Sequence, residues 1–243
     1  MSEKIEGIIL RRVPYLSKGV ILDVLTPHGK IPLILPGRTK GGKSETQPGN
    51  LAFLVIGRPR AGAMPCVREI VPNTPSIDIS RLSPFRAAQL LLICELTAHT
   101  VRGSESGPEL YELLYQTVRS LDAAETERYI CLRYAYQLAR LLGFAPGSAA
   151  DDLLSGRYFD LQAGEFSPDK PLHNYYLTPV HTAAFFALGD PDRPVRPASG
   201  RDYRNLWHIL MTYFSLHIDG FRPPRSLDFL QELTFLEFFR ENE

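Results

Sequence analysis

Residues 5–71 contain the apolar stretches IEGIILRRV (5–13), GVILDVLTPHGKIPLILPG (19–37), NLAFLVIG (50–57) and MPCVREIV (64–71). Thr26-Pro27-His28-Gly29 divides the second stretch. Its proline presets φ and its glycine can adopt a positive φ, so this stretch forms two strands joined by a tight turn. Five short apolar runs between Gly/Pro-rich turns predict five antiparallel strands.

The number of strands predicts the topology of this segment. Five is the strand count of the oligonucleotide-binding (OB) barrel. Strand alternation places Ile9 and Arg11 on the same face of the first strand. Pro32 cannot donate to a sheet ladder, so we expect it at an edge or a bulge. Phe53 lies within an apolar strand and is expected in the core.

Charge is distributed unevenly along the chain, although the net charge is zero. Residues 1–72 contain 11 Lys and Arg against five Asp and Glu, a net charge of +6, and the remainder has −6. Such an asymmetry suggests a polyanionic partner for the first segment. A solvated barrel surface that happens to be basic is the alternative, and composition does not separate the two.

The basic side chains concentrate in the turns of the predicted barrel. Arg38, Lys40 and Lys43 lie within six residues among glycines, and Arg58 and Arg60 lie in the next turn. Flexible cationic side chains and accessible backbone N–H groups are what phosphate binding requires. We predict a surface that follows a phosphate backbone here, rather than a nucleotide-binding P-loop.

Aromatic residues are scarce in this segment. OB domains that hold single strands stack bases on aromatic side chains. Only Tyr15 and Phe53 are available, and Phe53 is expected in the core. The composition therefore favours backbone-dominated, sequence-independent and salt-sensitive binding over base recognition.

The chain after residue 72 is predicted to be mainly helical. A Pro/Ser-rich connector spans 73–83, and a helical domain follows over 84–243 with Ser83 as N-cap and Pro84 in the first turn. Apolar periodicity predicts helices over 84–101, 108–121, 123–142, 178–188 and 203–218, and a docked C-terminal segment over 221–239. Residues 144–177 are irregular, with a short hairpin at 157–167. The predicted fold class is α+β.

No catalytic signature is present. The six histidines are scattered, and the three cysteines are far apart with no C-x-x-C pair. Zinc-protease spacing, a nucleophile elbow and a dinucleotide fingerprint are all missing from the sequence. We therefore expect a protein that is not an enzyme.

Five motifs, in order, resemble those of the bacterial recombination mediator family RecO. They are GVILDVLTPHGKIPLILPGRTK (19–40), QPGNLAFLVIG (47–57), LRYAYQLARLLGFAP (132–146), GRYFDLQAGEFS with PLHNYYL (156–177), and PPRSLDFLQEL (223–233). The resemblance covers essentially the whole chain. It implies an N-terminal OB fold, a helical body, and binding of single- and double-stranded DNA without sequence preference.

The resemblance also implies partners and site residues. The partners are RecR, the acidic C-terminal tail of single-strand DNA-binding protein (SSB) and, indirectly, RecA, with strand annealing and help in loading RecA as the functions. Family members contact DNA through basic barrel loops, which carries over here to Arg11, Arg12, Arg38, Lys40, Lys43, Arg58 and Arg60. The SSB tail requires a hydrophobic pocket beside a cation. The corresponding residues are Arg133, Tyr134 and Tyr136, and a surface arginine without this role is the alternative.

One departure from the family concerns zinc. Many members have a four-cysteine zinc site after the central helix, whereas residues 144–188 contain no cysteine. We therefore predict no zinc and no cofactor. Packing of Tyr158, Phe159 and Phe166 is expected to hold this region instead.

The leading hypothesis is a DNA repair and recombination mediator. An adaptor between proteins, built on an OB-like barrel with solvated basic loops, belongs to a different functional class and remains open. No run approaches the ~18 apolar residues of a membrane span, and the N-terminus has no apolar signal core. We expect a cytoplasmic protein that joins the nucleoid when bound to DNA.

Overall fold

The computed structural model describes residues 2–15, 19–37, 39, 45–57, 62–72, 81–103, 107–123, 129–144, 156–190, 197 and 199–240. The chain divides into two compact units, Met1–Ala124 and Glu125–Glu243. Among its described residues, the first unit thus contains the barrel together with two α-helices. The expected domain limits, with a helical domain from residue 84, stay a prediction.

The first unit is built on a closed five-stranded barrel, as expected for an OB fold. Around the barrel the strands follow the order β1-β2-β3-β5-β4. All pairs are antiparallel except β3 and β5, which pair in parallel through Ile34 and Cys66 and close the barrel. The strands are β1 (Ser2–Tyr15), β2 (Gly19–Thr26), β3 (Gly29–Pro36), β4 (Leu51–Gly57) and β5 (Cys66–Pro72). Pro32 lies before Ile34, in the part of β3 that pairs with β2 alone among the described strands.

Alternate residues of each strand point into the barrel and form its core. For two residues, Arg11 and Phe53, the expected face is wrong. Ile9 and Val24 lie in the core, but a bulge between Ile9 and Arg11 turns Arg11 to the outer face, opposite Asp23. Phe53 also lies outside this core and is half-buried on the barrel surface, because its neighbours Ala52 and Leu54 point inward.

Two helices, α1 (Pro84–Thr100) and α2 (Pro108–Asp122), complete the first unit. The Ser83 hydroxyl accepts a hydrogen bond from the N–H of Arg86, which confirms the predicted N-cap. Helix α1 packs on the outer face of β1. Gly49, with a φ of 87°, lies directly against Leu90 of α1, so the barrel and the helix meet closely there.

The described residues of the second unit form helices and a small sheet. The sheet has the strand order β7-β6-β8, so the predicted hairpin gains a third strand that the sequence did not indicate. Helix α3 begins at Ile130, and Tyr129 before it lies in a turn, so the predicted helix start at 123 is too early. Within the described residues the elements are α3 (Ile130–Leu141), β6 (Tyr158–Asp160), β7 (Glu165–Ser167), β8 (Tyr176–Leu177), α4 (Pro179–Phe186), a 3-10 turn (Ala187–Gly189), α5 (Gly200–His217) and α6 (Ser226–Arg240).

Aromatic side chains hold the hairpin in place, as expected. Phe159 is fully buried, and its ring centre lies 5.2 Å from that of Phe166 and 5.1 Å from that of Phe186. Tyr158 packs edge-to-face on Tyr176 of β8. Such pairs stabilise a fold by about 0.5–1.5 kcal/mol each beyond their buried area. The described helices include none that is long and apolar enough to cross a membrane.

Candidate nucleic-acid interface

Five of the seven predicted DNA-binding residues, Arg38, Lys40, Lys43, Arg58 and Arg60, lie outside the described residues. The structure does describe the ends of the two loops that contain them. The N–H of Gly49 donates to the carbonyl of Ile9 at 2.8 Å, which ties the end of the first loop to β1. The carbonyl of Pro65 accepts from the N–H of Ile34 at 2.9 Å, which ties the end of the second loop to β3. Both loops therefore return to the barrel at fixed points.

The first loop contains GRTKGGKS (37–44), and this segment has the Gly-x4-Gly-Lys-Ser spacing of a P-loop. A P-loop follows a strand and opens a helix, because the helix N-terminus binds the phosphates. Here the segment follows β3, the described residues 45–50 form turns or irregular backbone, and β4 comes next. The structural context therefore differs from that of a P-loop, although the residue types suit phosphate.

Arg11 forms an ion pair with Asp23 across β1 and β2. The Arg11 side chain is 43% exposed and the Asp23 side chain only 9%, so the arginine neutralises a buried carboxylate and keeps one side open to solvent. Lys30 lies close to the same pair. Burial, opposed in part by the charge of Asp23, lowers the pKa of Lys30, whose ammonium donates to the Ala98 carbonyl of α1 at 2.6 Å.

Arg12 lies on the opposite face of β1 from Arg11. Its partner in register is Leu22, whose side chain points into the barrel core. The two neighbouring arginines therefore extend from different faces of the strand. A DNA backbone that follows one face of β1 therefore cannot contact Arg11 and Arg12 equally.

Two further cations of the barrel, Arg68 and Lys4, were not predicted as site residues from the sequence. Arg68 is exposed on β5, and its guanidinium lies against Gly57, where an added Cβ would be 2.7 Å from Nε. It therefore lies beside the residue that precedes the basic turn 58–60. The ammonium of Lys4 lies 4.0 Å from the ring centre of Phe53. Arg68 is the extra residue of a bulge in the β4–β5 ladder, between Val67 and Glu69. The alternation of apolar and polar residues along a strand does not reveal such a bulge.

The predicted SSB-tail residues lie on α3, in the second unit. The guanidinium of Arg133 donates to the backbone carbonyls of Leu188 and Asp190, at the end of the 3-10 turn. Tyr134 and Tyr136 are 1% and 4% exposed. The ring of Tyr136 packs edge-to-face on Phe185, with centres 5.3 Å apart. Arg133 is thus partly accessible, whereas the two tyrosines support the helix from inside.

Exposed apolar side chains of the second unit cluster in sequence around β8. Leu172 is fully exposed, Val180 is 78% exposed and Tyr175 is 47% exposed. Lys170 lies just before them and is also exposed. These three side chains lie within nine residues of sequence and form a candidate contact surface, since contiguous exposed apolar patches mark sites that bind another molecule.

A polar cluster around Asp160 in the second unit stabilises the fold. The Asp160 carboxylate accepts hydrogen bonds from the N–H groups of Gln162 and Ala163 and contacts His173 Nε2 at 3.0 Å. This set closes the β6–β7 turn. Among the residues that the structure covers, no three His, Cys, Asp or Glu side chains are grouped so that they could hold a metal ion. The absence of zinc stays a prediction.

A family model described as "Recombination protein O C terminal" matches residues 81–227. The match extends from the first residues before α1 to the start of α6. It covers more than half of the chain and reaches every described element of the second unit.

Three of the relatives match over nearly their whole length. The "DNA repair protein RecO" of Christiangramia forsetii is 24% identical over 242 residues, covering 94% of this chain and 97% of that protein. Those of Pelodictyon phaeoclathratiforme and Bacteroides fragilis are each 26% identical, covering 96% of this chain and 99% of the relative. The likeness therefore includes the barrel as well as the helical part.

Proposed function

Because the chain belongs to the RecO family, we propose that it acts in DNA repair and homologous recombination as a mediator without catalytic activity. In this role it binds DNA without sequence preference, anneals complementary strands and, with RecR, helps load RecA onto SSB-coated single strands. It does so in the cytoplasm, at the nucleoid when bound to DNA. The observation that favours DNA binding most is the net charge of +6 on residues 1–72, which form an OB-type barrel.

The proposed DNA surface consists of the two basic loops and the strand residues next to them. Arg38, Lys40 and Lys43 supply flexible cations on one loop, and Arg58 and Arg60 do so on the other. Arg68 extends the second group, because it lies beside Gly57 at the start of that turn. Arg11 contributes from its exposed side and Arg12 from the opposite face, so we expect weaker contributions from both.

A salt titration of DNA binding tests this surface. Each phosphate contact contributes about 0.7–0.9 to the slope of log K against log salt. Replacing Arg38, Lys40 and Lys43 together by Ala should reduce that slope by about 2 to 3. A matched control replaces three exposed cations of the second unit, Arg140, Lys170 and Arg201.

The titration also separates the mediator from the adaptor. A mediator loses DNA affinity steeply with added salt, and the loop variant loses annealing activity while the control variant does not. If the parent chain binds no DNA at low salt but still binds RecR or SSB, the adaptor is the correct function. Equal slopes for the loop and control variants would reject the loop assignment.

For the SSB tail we propose Arg133 as the cation that meets its carboxylates. A guanidinium has five N–H donors in a fork that matches a carboxylate, and the Arg133 side chain is only partly buried. The buried Tyr134 and Tyr136 position α3 and do not offer the hydrophobic contact. Leu172, Tyr175 and Val180 offer exposed apolar surface for the tail instead.

Titration with an SSB-tail peptide tests both the role of Arg133 and the role of the exposed apolar surface. Arg133→Lys keeps the charge and should weaken binding several-fold, and the double variant Leu172→Ser with Val180→Ser should weaken it about tenfold. Circular dichroism confirms that each variant is folded. Unchanged affinity in Arg133→Lys and in Arg133→Ala rejects the arginine, and unchanged affinity in the double variant rejects the apolar surface.

A further inference from the structure

A cleft of about 840 Å³ opens at one end of the barrel. Its walls include Glu3–Glu6 of β1, Thr26–His28 of the β2–β3 turn and residues 62–65 before β5. The volume lies within the range of about 300–1,000 Å³ that is typical of binding sites. None of the functions proposed above uses this cleft.

The cleft runs along the edge of β1 and continues into the open end of the barrel, where Ile56 of β4 lines it. Glu3, Lys4, Ile5 and Glu6 are consecutive, and all four line it. Successive side chains of a strand point to opposite faces, so a hollow on one face would touch every second residue. A hollow that touches four residues in succession lies beside the strand.

The same edge of β1 has no neighbouring strand among the described residues. β1 pairs with β4 from Ser2 to Ile8, whereas its pairing with β2 begins only at Ile8. Ile9 exchanges hydrogen bonds with Gly49 and Asn50 on the β4 side, at 2.8 and 2.9 Å. By the alternation of an antiparallel ladder, the backbone N–H and C=O of Lys4 then point to the other side, toward the cleft.

We propose that this cleft binds an extended peptide segment of a partner protein, which adds to the barrel as a strand beside Ser2–Glu6. Strand addition of this kind draws its affinity from main-chain hydrogen bonds and its specificity from pockets for alternate side chains. Gly7 is buried against Val24 and Leu25 of β2, so the open edge ends at Glu6. At about 3.4 Å per residue, this edge is about 17 Å long, enough for about five residues of partner chain.

The charged residues that line the cleft indicate which charge the partner peptide should carry. Glu3 is exposed, Glu6 is half-buried, and Lys4 is engaged with the Phe53 ring. The Glu6 carboxylate also interacts with Tyr111 of α2. Lys4 lines the cleft too, but the two carboxylates outnumber it and give the cleft an acidic rim within the basic half of the chain. This rim repels phosphates and acidic tails and attracts Lys or Arg side chains.

The floor of the cleft is apolar. Ile5 and Ile31 line it and pack against the barrel core, and Ile56 belongs to that core. An apolar side chain of the partner would extend the core at the open end of the barrel. The occupant is therefore a segment in which apolar and basic residues alternate.

A fluorescent seven-residue peptide, acetyl-Lys-Val-Lys-Val-Lys-Val-Lys-amide, tests the proposal by anisotropy on the full chain. We expect saturable binding, and at least tenfold weaker binding of the peptide with Glu in place of Lys. Glu3→Lys should weaken binding of the lysine peptide at least fivefold. Glu69→Lys, an exposed charge change on β5 away from the cleft, should leave it unchanged.

Two N-methylated forms of the peptide test strand pairing without altering the protein. One form is methylated at the valines and the other at the lysines, so only one of them blocks the N–H groups that face β1. We expect one form to lose at least tenfold in affinity and the other to bind like the parent peptide. Equal binding of both forms, or equal binding to Glu3→Lys, overturns the proposal.

Two other occupants appear as distinct outcomes. If the loop variant without Arg38, Lys40 and Lys43 loses peptide affinity, the peptide occupies the DNA surface and the cleft assignment is wrong. If sedimentation shows a dimer that Glu3→Lys dissociates, a second copy of the chain occupies the cleft, which also overturns the proposal. Peptide binding that persists in the loop variant without Arg38, Lys40 and Lys43 supports it, whether or not that variant binds DNA.

Discussion

Arg11 forms an ion pair with Asp23, a carboxylate that is almost fully buried in the first unit. Asp23→Asn leaves Arg11 and Lys30 without their counter-charge, so we expect it to lower the free energy of unfolding by about 1–3 kcal/mol. Arg11→Met should cost less, because Lys30 still faces the carboxylate. Urea denaturation measures both. A larger loss in Arg11→Met than in Asp23→Asn would contradict this order.

The contact of Gly49 with Leu90 predicts a sharp response to an added methyl group. In Gly49→Ala the Cβ would lie 2.6 Å from Leu90 Cδ1, at a φ of 87°. The positive φ costs about 1–2 kcal/mol and the overpacking about 1–3 kcal/mol more. Gly103→Ala has a φ of 62° and no atom within 4 Å of its Cβ, so it isolates the backbone cost. Thermal denaturation should show the larger loss in Gly49→Ala; equal losses would contradict the close approach.

The hydrogen bonds of Arg133 predict a structural effect besides any effect on ligand binding. Arg133→Met removes a charged donor from the carbonyls of Leu188 and Asp190, and we expect a loss of about 1–3 kcal/mol in stability. Arg140→Met, an exposed change on the same helix, should cost less than about 0.5 kcal/mol. Urea denaturation of the two variants measures the difference. Equal stability of both variants would show that the carbonyl contacts contribute nothing.

The surroundings of Asp160 predict how acid acts on the hairpin. Burial raises the pKa of Asp160, but the N–H groups of Ala163 and Gln162 and the His173 ring outweigh it, so the pKa lies below the ordinary value of 3.8. The ionised carboxylate therefore stabilises the fold above pH 3.8, and this stabilisation is lost as the pH falls below that value. Asp160→Asn should be less stable at about pH 6 and should lose less stability between about pH 4 and pH 2. A parallel pH profile for parent and variant would contradict the assignment.

Local patterns predicted the elements well. The five strands, the Ser83 cap of α1, the hairpin at 158–167 and its aromatic packing all follow from residues that are neighbours in the chain. The start of α3 was placed too early, and the third strand β8 was missed. β8 is two residues long, and such a short segment has no period to detect.

For the candidate site, the sequence predicted which residue types occur in the loops but not where individual side chains lie. Basic loops on a barrel follow from the spacing of Arg and Lys between strand patterns. The positions of Arg11, Arg68 and Arg133 do not, because two of them depend on bulges and the third on carbonyls 55 and 57 residues away. The tyrosines next to Arg133 look like surface candidates in the sequence, yet both are buried.

The order of apolar and turn residues was sufficient for the barrel strands and for most of the helices, since burial of one strand face or helix stripe leaves a short-range pattern. A count of charged residues was sufficient for the charge difference between the two halves. The folded chain was required for the faces of individual charged side chains, the ion pair of Arg11 with Asp23, the packing of α1 on β1 and the open edge of Ser2–Glu6. Each of these depends on which distant segments become neighbours, and a bulge of one residue is enough to turn a side chain from the barrel interior to its surface.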